Sequence, residues 1–128
     1  MLRDEPPTMA TVQVALSDAG AEVRLSGTIV LDYAQAIREQ LRAVVLGGRL
    51  HVLVDFSEVT EVDSRGLAAL VSLVKLARER GGAVRCHSAP PHVYEIFELT
   101  RLHRVFDFFP DRSSALSRPW EDSGISRG

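Results

Sequence analysis

Apolar and polar positions change their spacing several times along this chain, and each change marks a new element. Val12, Val14 and Leu16 alternate with small or polar neighbours, and Val23 and Leu25 do the same. A period of two is the mark of a half-buried strand. Ser17-Asp18-Ala19-Gly20 between them carries turn chemistry, so residues 12–26 are expected to form a hairpin that Gly27 ends. From Asp32 the period lengthens. Ala34, Ile37, Leu41, Val44 and Val45 recur at three- and four-residue steps, one stripe of an amphipathic helix. Asp32 suits its N-cap, and Gly47-Gly48 should stop it.

The short apolar run from His51 to Asp55 fits a strand buried on both faces. A loop is expected next, leading to Asp63-Ser64. The clearest helix then begins: Leu67, Leu70, Val71, Val74 and Ala77 share a face, and Gly81-Gly82 ends it after the cations Arg78 and Arg80. Residues 83–86 predict another strand. Pro90-Pro91 open a short helix with Val93, Ile96 and Phe97 inward. Residues 105–109 predict a last strand, and Asp111 a cap for a terminal helix through Leu116.

Strands that alternate with helices after an opening hairpin imply an α/β domain. We expect a mixed, mostly parallel sheet of about four to five strands, packed by about four helices. Residues 1–10 read as a flexible leader, 11–117 as the domain and 118–128 as a polar, flexible tail in which Trp120 stands out.

Composition narrows the function classes. A chain of 128 residues suits one domain. Hydrophobic residues at 45% and charged residues at 25% are ordinary globular usage. The net charge of −2, with signs interleaved, gives no pull toward nucleic acid or anionic lipid. No apolar run is long enough to enter and span a bilayer, and Asp4, Glu5, Pro6 and Pro7 occupy the place of a signal peptide's apolar core. Cys86 is the only cysteine, which excludes an internal disulfide and fits a reducing compartment. A cytoplasmic location is expected.

Candidate chemistry is sparse. His51, His87, His92 and His103 show no metal-ligand spacing. His51 belongs in or beside a strand, and the other three read as loop or solvent-exposed residues. Ser64 lacks the G-x-S-x-G elbow of a hydrolase nucleophile. Asp55 and Asp63 read as a strand end and a helix start rather than paired catalytic acids. Cys86 reads as a small core residue, and Phe106, Phe108 and Phe109 as packing. Neither metal nor cofactor is called for, and an enzyme is not expected.

Attention therefore falls on Val62-Asp63-Ser64-Arg65-Gly66, between a strand and an amphipathic helix. Asp63 or Ser64 is the expected N-cap, and the first helical amides have no intrahelical partners. Such a helix start favours an anion, and a phosphate on Ser64 would bring about −1.5 to −2 charges there. Gly66 is expected to leave the first turn open to a partner.

Residues 53–71 resemble the signature of the STAS domain (sulfate transporter and anti-sigma factor antagonist). The apolar strand, the Asp55-Phe56-Ser57 step and Asp63-Ser64-Arg65-Gly66-Leu67 carry that likeness. Val23-Arg24-Leu25-Ser26-Gly27, Gly81-Gly82-Ala83-Val84 and the stretch from Leu99-Thr100-Arg101-Leu102 to Val105-Phe106 are similar to further parts of the family pattern. The likeness spans residues 12–116. It implies a stand-alone anti-sigma factor antagonist. The partner would be an anti-sigma factor that is also a serine kinase. That kinase would phosphorylate Ser64, and a serine phosphatase would reset the switch. Asp63, Ser64, Arg65, Gly66, Val30 and Asp32 would lie on the docking surface, with Arg65 and Val30 where the family usually has a small and an acidic residue. The alternative is a constitutive structural subunit of the same fold, as in stressosome-type scaffolds or the cytosolic partner of a lipid-transport ATPase complex. Self-association is left open.

Overall fold

Five strands lie side by side in the order in which the chain makes them. They are β1 (Thr11–Ser17), β2 (Gly20–Ile29), β3 (His51–Val62), β4 (Ala83–His87) and β5 (Phe108–Phe109). β1 and β2 pair antiparallel as the expected hairpin, and every later neighbour pairs parallel. Helices α1 (Ser64–Glu79), α2 (Pro91–Leu99), α3 (His103–Phe106) and α4 (Arg112–Leu116) connect and follow them, and residues 39–40 and 42–46 are also helical. The computed structural model describes residues 11–17, 20–29, 39–40, 42–48 and 51–120. The expected mixed, mostly parallel α/β sheet is present.

One face of the sheet carries the core. Val23 and Leu25 of β2, Val52, Val54 and Phe56 of β3, and Val84 and Cys86 of β4 are buried with Leu67, Leu70, Leu73, Val74 and Ala77 of α1. Val93 and Phe97 of α2 and Phe106 of α3 close it, and Phe97 meets Phe56, Phe106 and Phe108 edge-on. Cys86 is a core residue as expected, and burial pushes its thiol well up. The inward stripe of α1 is wider than the spacing alone implies: Leu73 is fully inside, and Val71 packs at its margin.

Two boundaries depart from expectation for one reason. β2 runs past Gly27 to Ile29, and β3 continues through the expected loop to Val62. Register shifts between Arg24 and Ser26 and between Gly27 and Thr28 bend the ladder there, with Gly27 at φ +85°. A bulge interrupts the period of two while the chain remains paired. Phe56, Val59 and Val62 are consequently buried at steps of three, a spacing that does not read as a strand. The third departure is at residues 105–109. Val105 and Phe106 belong to a helical turn, and Asp107, in the left-handed region at φ +58°, reverses the chain before the two-residue β5.

The predicted stop of the first helix at Gly47-Gly48 holds: the Gly47 amide donates to Ala43 and that of Gly48 to Val45. Its start, with the proposed cap Asp32, lies outside the described residues, and so does Val30. Asp111 caps α4 as expected, its Oδ1 accepting from the Ser114 amide at 2.8 Å. Pro90 and Pro91 start α2.

Candidate functional site

β3 and α1 meet at Val62-Asp63-Ser64, and the chain has little freedom there. The Asp63 amide donates to the Ile29 carbonyl at 3.2 Å, which ties the turn to the end of β2. The Asp63 side chain is the cap. Its Oδ1 accepts from the Arg65 amide at 3.0 Å and the Gly66 amide at 2.9 Å, while its carbonyl accepts from Leu67 at 2.9 Å. The Arg65, Gly66 and Leu67 amides thus all have partners within the chain, and the expectation that the first amides await an anion is corrected for these three. A carboxylate already occupies the positive end of the helix dipole.

Gly66 is corrected as well. It is buried, and the close approach it permits comes from within the chain. A Cβ here would stand 2.1 Å from the Ile29 carbonyl oxygen. Its glycine serves strand–helix packing. Ser64 and Arg65, by contrast, are exposed, and Asp63 is half-buried between them and the core. Nearby in the fold, the Thr28 and Thr60 hydroxyls are 3.1 Å apart, and the His92 ring N–H donates to the Thr60 carbonyl at 2.7 Å. These bonds brace β2, β3 and α2 against each other beside the turn. Of the six residues expected on the docking surface, Asp63, Ser64 and Arg65 form one accessible corner. Gly66 supports it from beneath, and Val30 and Asp32 fall outside the described residues.

This corner has a simple chemistry. Ser64 and Arg65 offer a hydroxyl-bearing and a cationic side chain at an exposed helix start. No group of three or more side chains suited to hold a metal exists among the described residues, and none of the described helices is long and apolar enough to cross a membrane.

The opposite face of the sheet holds what sequence reasoning missed. Arg85, in the middle of β4, is 0% exposed. Its Nη1 donates to the carbonyls of Ala115 at 2.6 Å and Arg118 at 2.7 Å, and its Nη2 to that of Pro119 at 2.6 Å. The guanidinium also lies 4.4 Å from the centre of the Trp120 ring, which stacks on His51 at 4.9 Å and 2°. Residues 118–120, which composition assigns to a polar tail, are therefore held on the sheet, and Trp120 ceases to be an anomaly. Residues 121–128 lie outside the described part.

His87, expected to be a loop or solvent-exposed residue, instead ends β4 at only 4% exposure. Its Nδ1 is 2.7 Å from the Ser88 hydroxyl. Burial lowers its pKa against the pull of Asp55. Around it, Arg24 pairs with Asp55 at 3.3 Å and Arg112 with Glu22 at 3.1 Å. The hydrogen bonds from Arg112 hold the Glu22 carboxyl below its usual range. Burial pushes Asp55 up, but bonds from the Ser57 amide and hydroxyl and the charges of His87 and Arg24 outweigh it, leaving a net lowering. One signal was visible beforehand: an arginine inside the otherwise small and apolar run Ala83-Val84-Arg85-Cys86. Among the remaining histidines, His51 begins β3 as expected, His92 is exposed, and His103 is half-buried.

Hairpin, bulged central strand, capped helix and short closing strand together define a STAS domain, and the chain belongs to that family. The family model described as "Mlab, STAS domain" matches residues 12–109. An anti-sigma-B factor antagonist of Bacillus subtilis is 24% identical over 96 residues, 75% of this chain and 87% of that protein. The crystal structure of an anti-sigma factor antagonist from Mycobacterium paratuberculosis superposes with a TM-score of 0.75 at 25% identity, covering 88% of this chain and 95% of that one. The Bacillus cell fate determinant SpoIIAA in its phosphorylated form shares the fold, with a TM-score of 0.64 at 14% identity over 81% of this chain and 96% of that one. The curated relatives it matches carry the names of anti-sigma factor antagonists.

Proposed function

We propose that this protein is a cytoplasmic anti-sigma factor antagonist that docks through the Asp63–Arg65 corner and is released by phosphorylation of Ser64. Its partner is an anti-sigma factor that is also a serine kinase, and a serine phosphatase restores the unmodified form. One observation carries the reading. Ser64 is exposed on a turn fixed by the Asp63 cap and by the bond to Ile29. A rigid, accessible hydroxyl can enter a kinase site. A docked partner would have to bury the added charge, whereas the free domain leaves it in water. The names of the relatives support the class of partner.

The test is phosphorylation by the cognate kinase with ATP, read by intact-mass spectrometry. The natural chain should gain one phosphate and the Ser64→Ala protein none. Ser64→Asp should bind the kinase at least tenfold more weakly than Ser64→Ala. Modification of Ser64→Ala to the same extent would defeat the assignment. A second reading draws on the Asp63 cap itself. Since a carboxylate already fills the amide cradle, a phosphate gains no ready-made pocket, as expected of a constitutive STAS subunit. Such a subunit would bind its partner equally well with serine, alanine or aspartate at position 64.

A further inference from the structure

One imidazole of this chain is buried among charges that come from several elements. His87 stands two residues beyond Arg85 on β4, so the two side chains share the face of the sheet away from the core. α4 packs against β4 and β5. His87 and Arg112 border one cavity of about 340 Å³, and Glu22 and Arg24 of β2 and Asp55 of β3 line it as well. β1 contributes Gln13, Val14 and Ala15 to its wall, none of which titrates, and the residue of β5 paired with His87 is Phe109. Asp111, the cap of α4, adds a third carboxylate that acts on the ring. The carboxylates of Asp55, Glu22 and Asp111 draw a proton onto His87, yet burial outweighs them, and the Arg112 charge acts in the same sense as burial.

We propose that residues 111–120 form a strap that protonation of His87 releases from the sheet. An imidazolium needs water, and some element must move to admit it. β4 is held in place by β3 and β5 on either side. α4 is the element free to yield. It has five residues, too few for a helix to persist without its contacts. Its Arg112 side chain is 56% exposed and pairs with Glu22 at 47%, so this ion pair is screened and weak. Arg112 would also stand beside a second cation once His87 is charged. While His87 is neutral, the bonds from Arg85 to the carbonyls of Ala115, Arg118 and Pro119 keep the strap closed. Segments with few anchors are those that open locally while the rest of a domain stays folded. The closed form binds the proton more weakly than the open form, whose solvated His87 takes the ordinary value of 6.5. Opening therefore grows by up to about tenfold for each pH unit below that value, and it levels off once the closed form is protonated too. Glu22, Asp55 and Asp111 are carboxylates held below their usual range, so they respond only at more acidic pH. Ser64, at the β3–α1 junction, takes no part.

Trp120, the single tryptophan of the chain, lies in the strap against Arg85 and reports its position. The test follows Trp120 emission and amide exchange of residues 111–120 on the full chain from about pH 8 to about pH 5, with exchange corrected for its intrinsic pH dependence. Opening of the strap should rise below pH 6.5 while β3 and α1 keep their protection. NMR titration of the His87 ring in the natural chain should place the end of that rise at the pH where the folded ring becomes charged. His87→Gln should abolish the rise. His51→Gln, which removes the other imidazole stacked on Trp120, should keep it in full. Exchange at 111–120 that ignores pH would overturn the proposal, and so would a rise that survives in His87→Gln. Loss of protection in β3 and α1 in step with the strap would replace local release by global unfolding and overturn it equally. The natural chain decides the matter even where the variant is unstable: a His87 ring that charges without added exchange at 111–120 leaves no released strap.

Discussion

Two places in this domain tie a chain segment down with a single side chain, and they do so in different ways. At the β3–α1 turn, Asp63 binds amides two and three residues ahead of it, and the residues it fixes, Ser64 and Arg65, remain in solvent. On the far side of the sheet, Arg85 binds carbonyls 30, 33 and 34 residues away, and the guanidinium is wholly buried. The first device is local and leaves a surface available. The second is long-range and removes a surface, closing the C-terminal segment over β4. The docking corner proposed above needs the former: it must hold its shape with and without a bound partner. The latter stabilises the platform on which the corner is built.

Substitutions that break these two devices should separate accordingly. The largest effect is expected at Gly66. Gly66→Ala drives a Cβ into the Ile29 carbonyl, and backbone on both sides must yield. A loss of roughly 3 kcal/mol, the upper range of overpacking, should appear in denaturant unfolding. Arg85→Met keeps an unbranched apolar stem but removes the guanidinium and leaves three carbonyls to find other donors. It should cost about 2–3 kcal/mol and render residues 112–120 susceptible to limited proteolysis, since bonds to a charged group are the strong ones. Ser64 phosphorylation should survive in that variant wherever it remains folded.

Asp63→Ala is the local counterpart. Losing the cap should cost about 1 kcal/mol, measured by thermal or urea unfolding, and loosen the turn rather than the tail. It also removes the carboxylate beside Ser64, so a Ser64→Asp change should be less disruptive to stability in that background than in the natural one.

The smallest and most specific effect is on pH dependence. His87 has its pKa lowered from an ordinary value of 6.5 by burial, so the unfolded chain binds its proton first. Stability contributed by keeping His87 neutral is complete above that value and declines as pH falls below it, levelling off once the folded form is also protonated. Asp55 and Glu22, both lowered, lose their contribution in a separate and more acidic window, as pH falls below the ordinary carboxylate range. His87→Gln should flatten the stability profile just below pH 6.5 and leave the more acidic limb in place. An unchanged slope in both windows would show that His87 is not held neutral by the fold.

Much of this was legible along the chain, and the reason differs from element to element. α1 announces itself because Leu67, Leu70, Val74 and Ala77 repeat at the helical period over about three turns and Gly81-Gly82 follows. The Asp63 cap is legible because capping is contact between near neighbours. β3 was only half legible: its ladder with β2 contains bulges, so Phe56, Val59 and Val62 fall on the core at intervals that match no simple period. The run from Val105 to Phe109 looks uniformly strand-like. Its first half is a helical turn because Asp107 adopts a left-handed conformation, which composition does not reveal.

The site divides along the same line. Ser64 could be singled out because strand, cap and helix succeed one another in the sequence. The role of Gly66 could not. Whether a glycine opens a surface or admits another strand's carbonyl depends on what lies across from it, and here that is Ile29. The roles of Arg85 and Trp120 were unreadable, since the middle of β4, the start of β3 and residues 115–120 meet only once the sheet is assembled. Near-neighbour spacing determined most of the elements of this protein and singled out Ser64, and the motif in residues 53–71 carried the likeness to the family. The tertiary structure decided which polar groups are buried and which carbonyls the Arg85 guanidinium serves. Those outcomes depend on contacts between residues far apart in sequence, and burial and hydrogen bonding are settled by what surrounds a group in space.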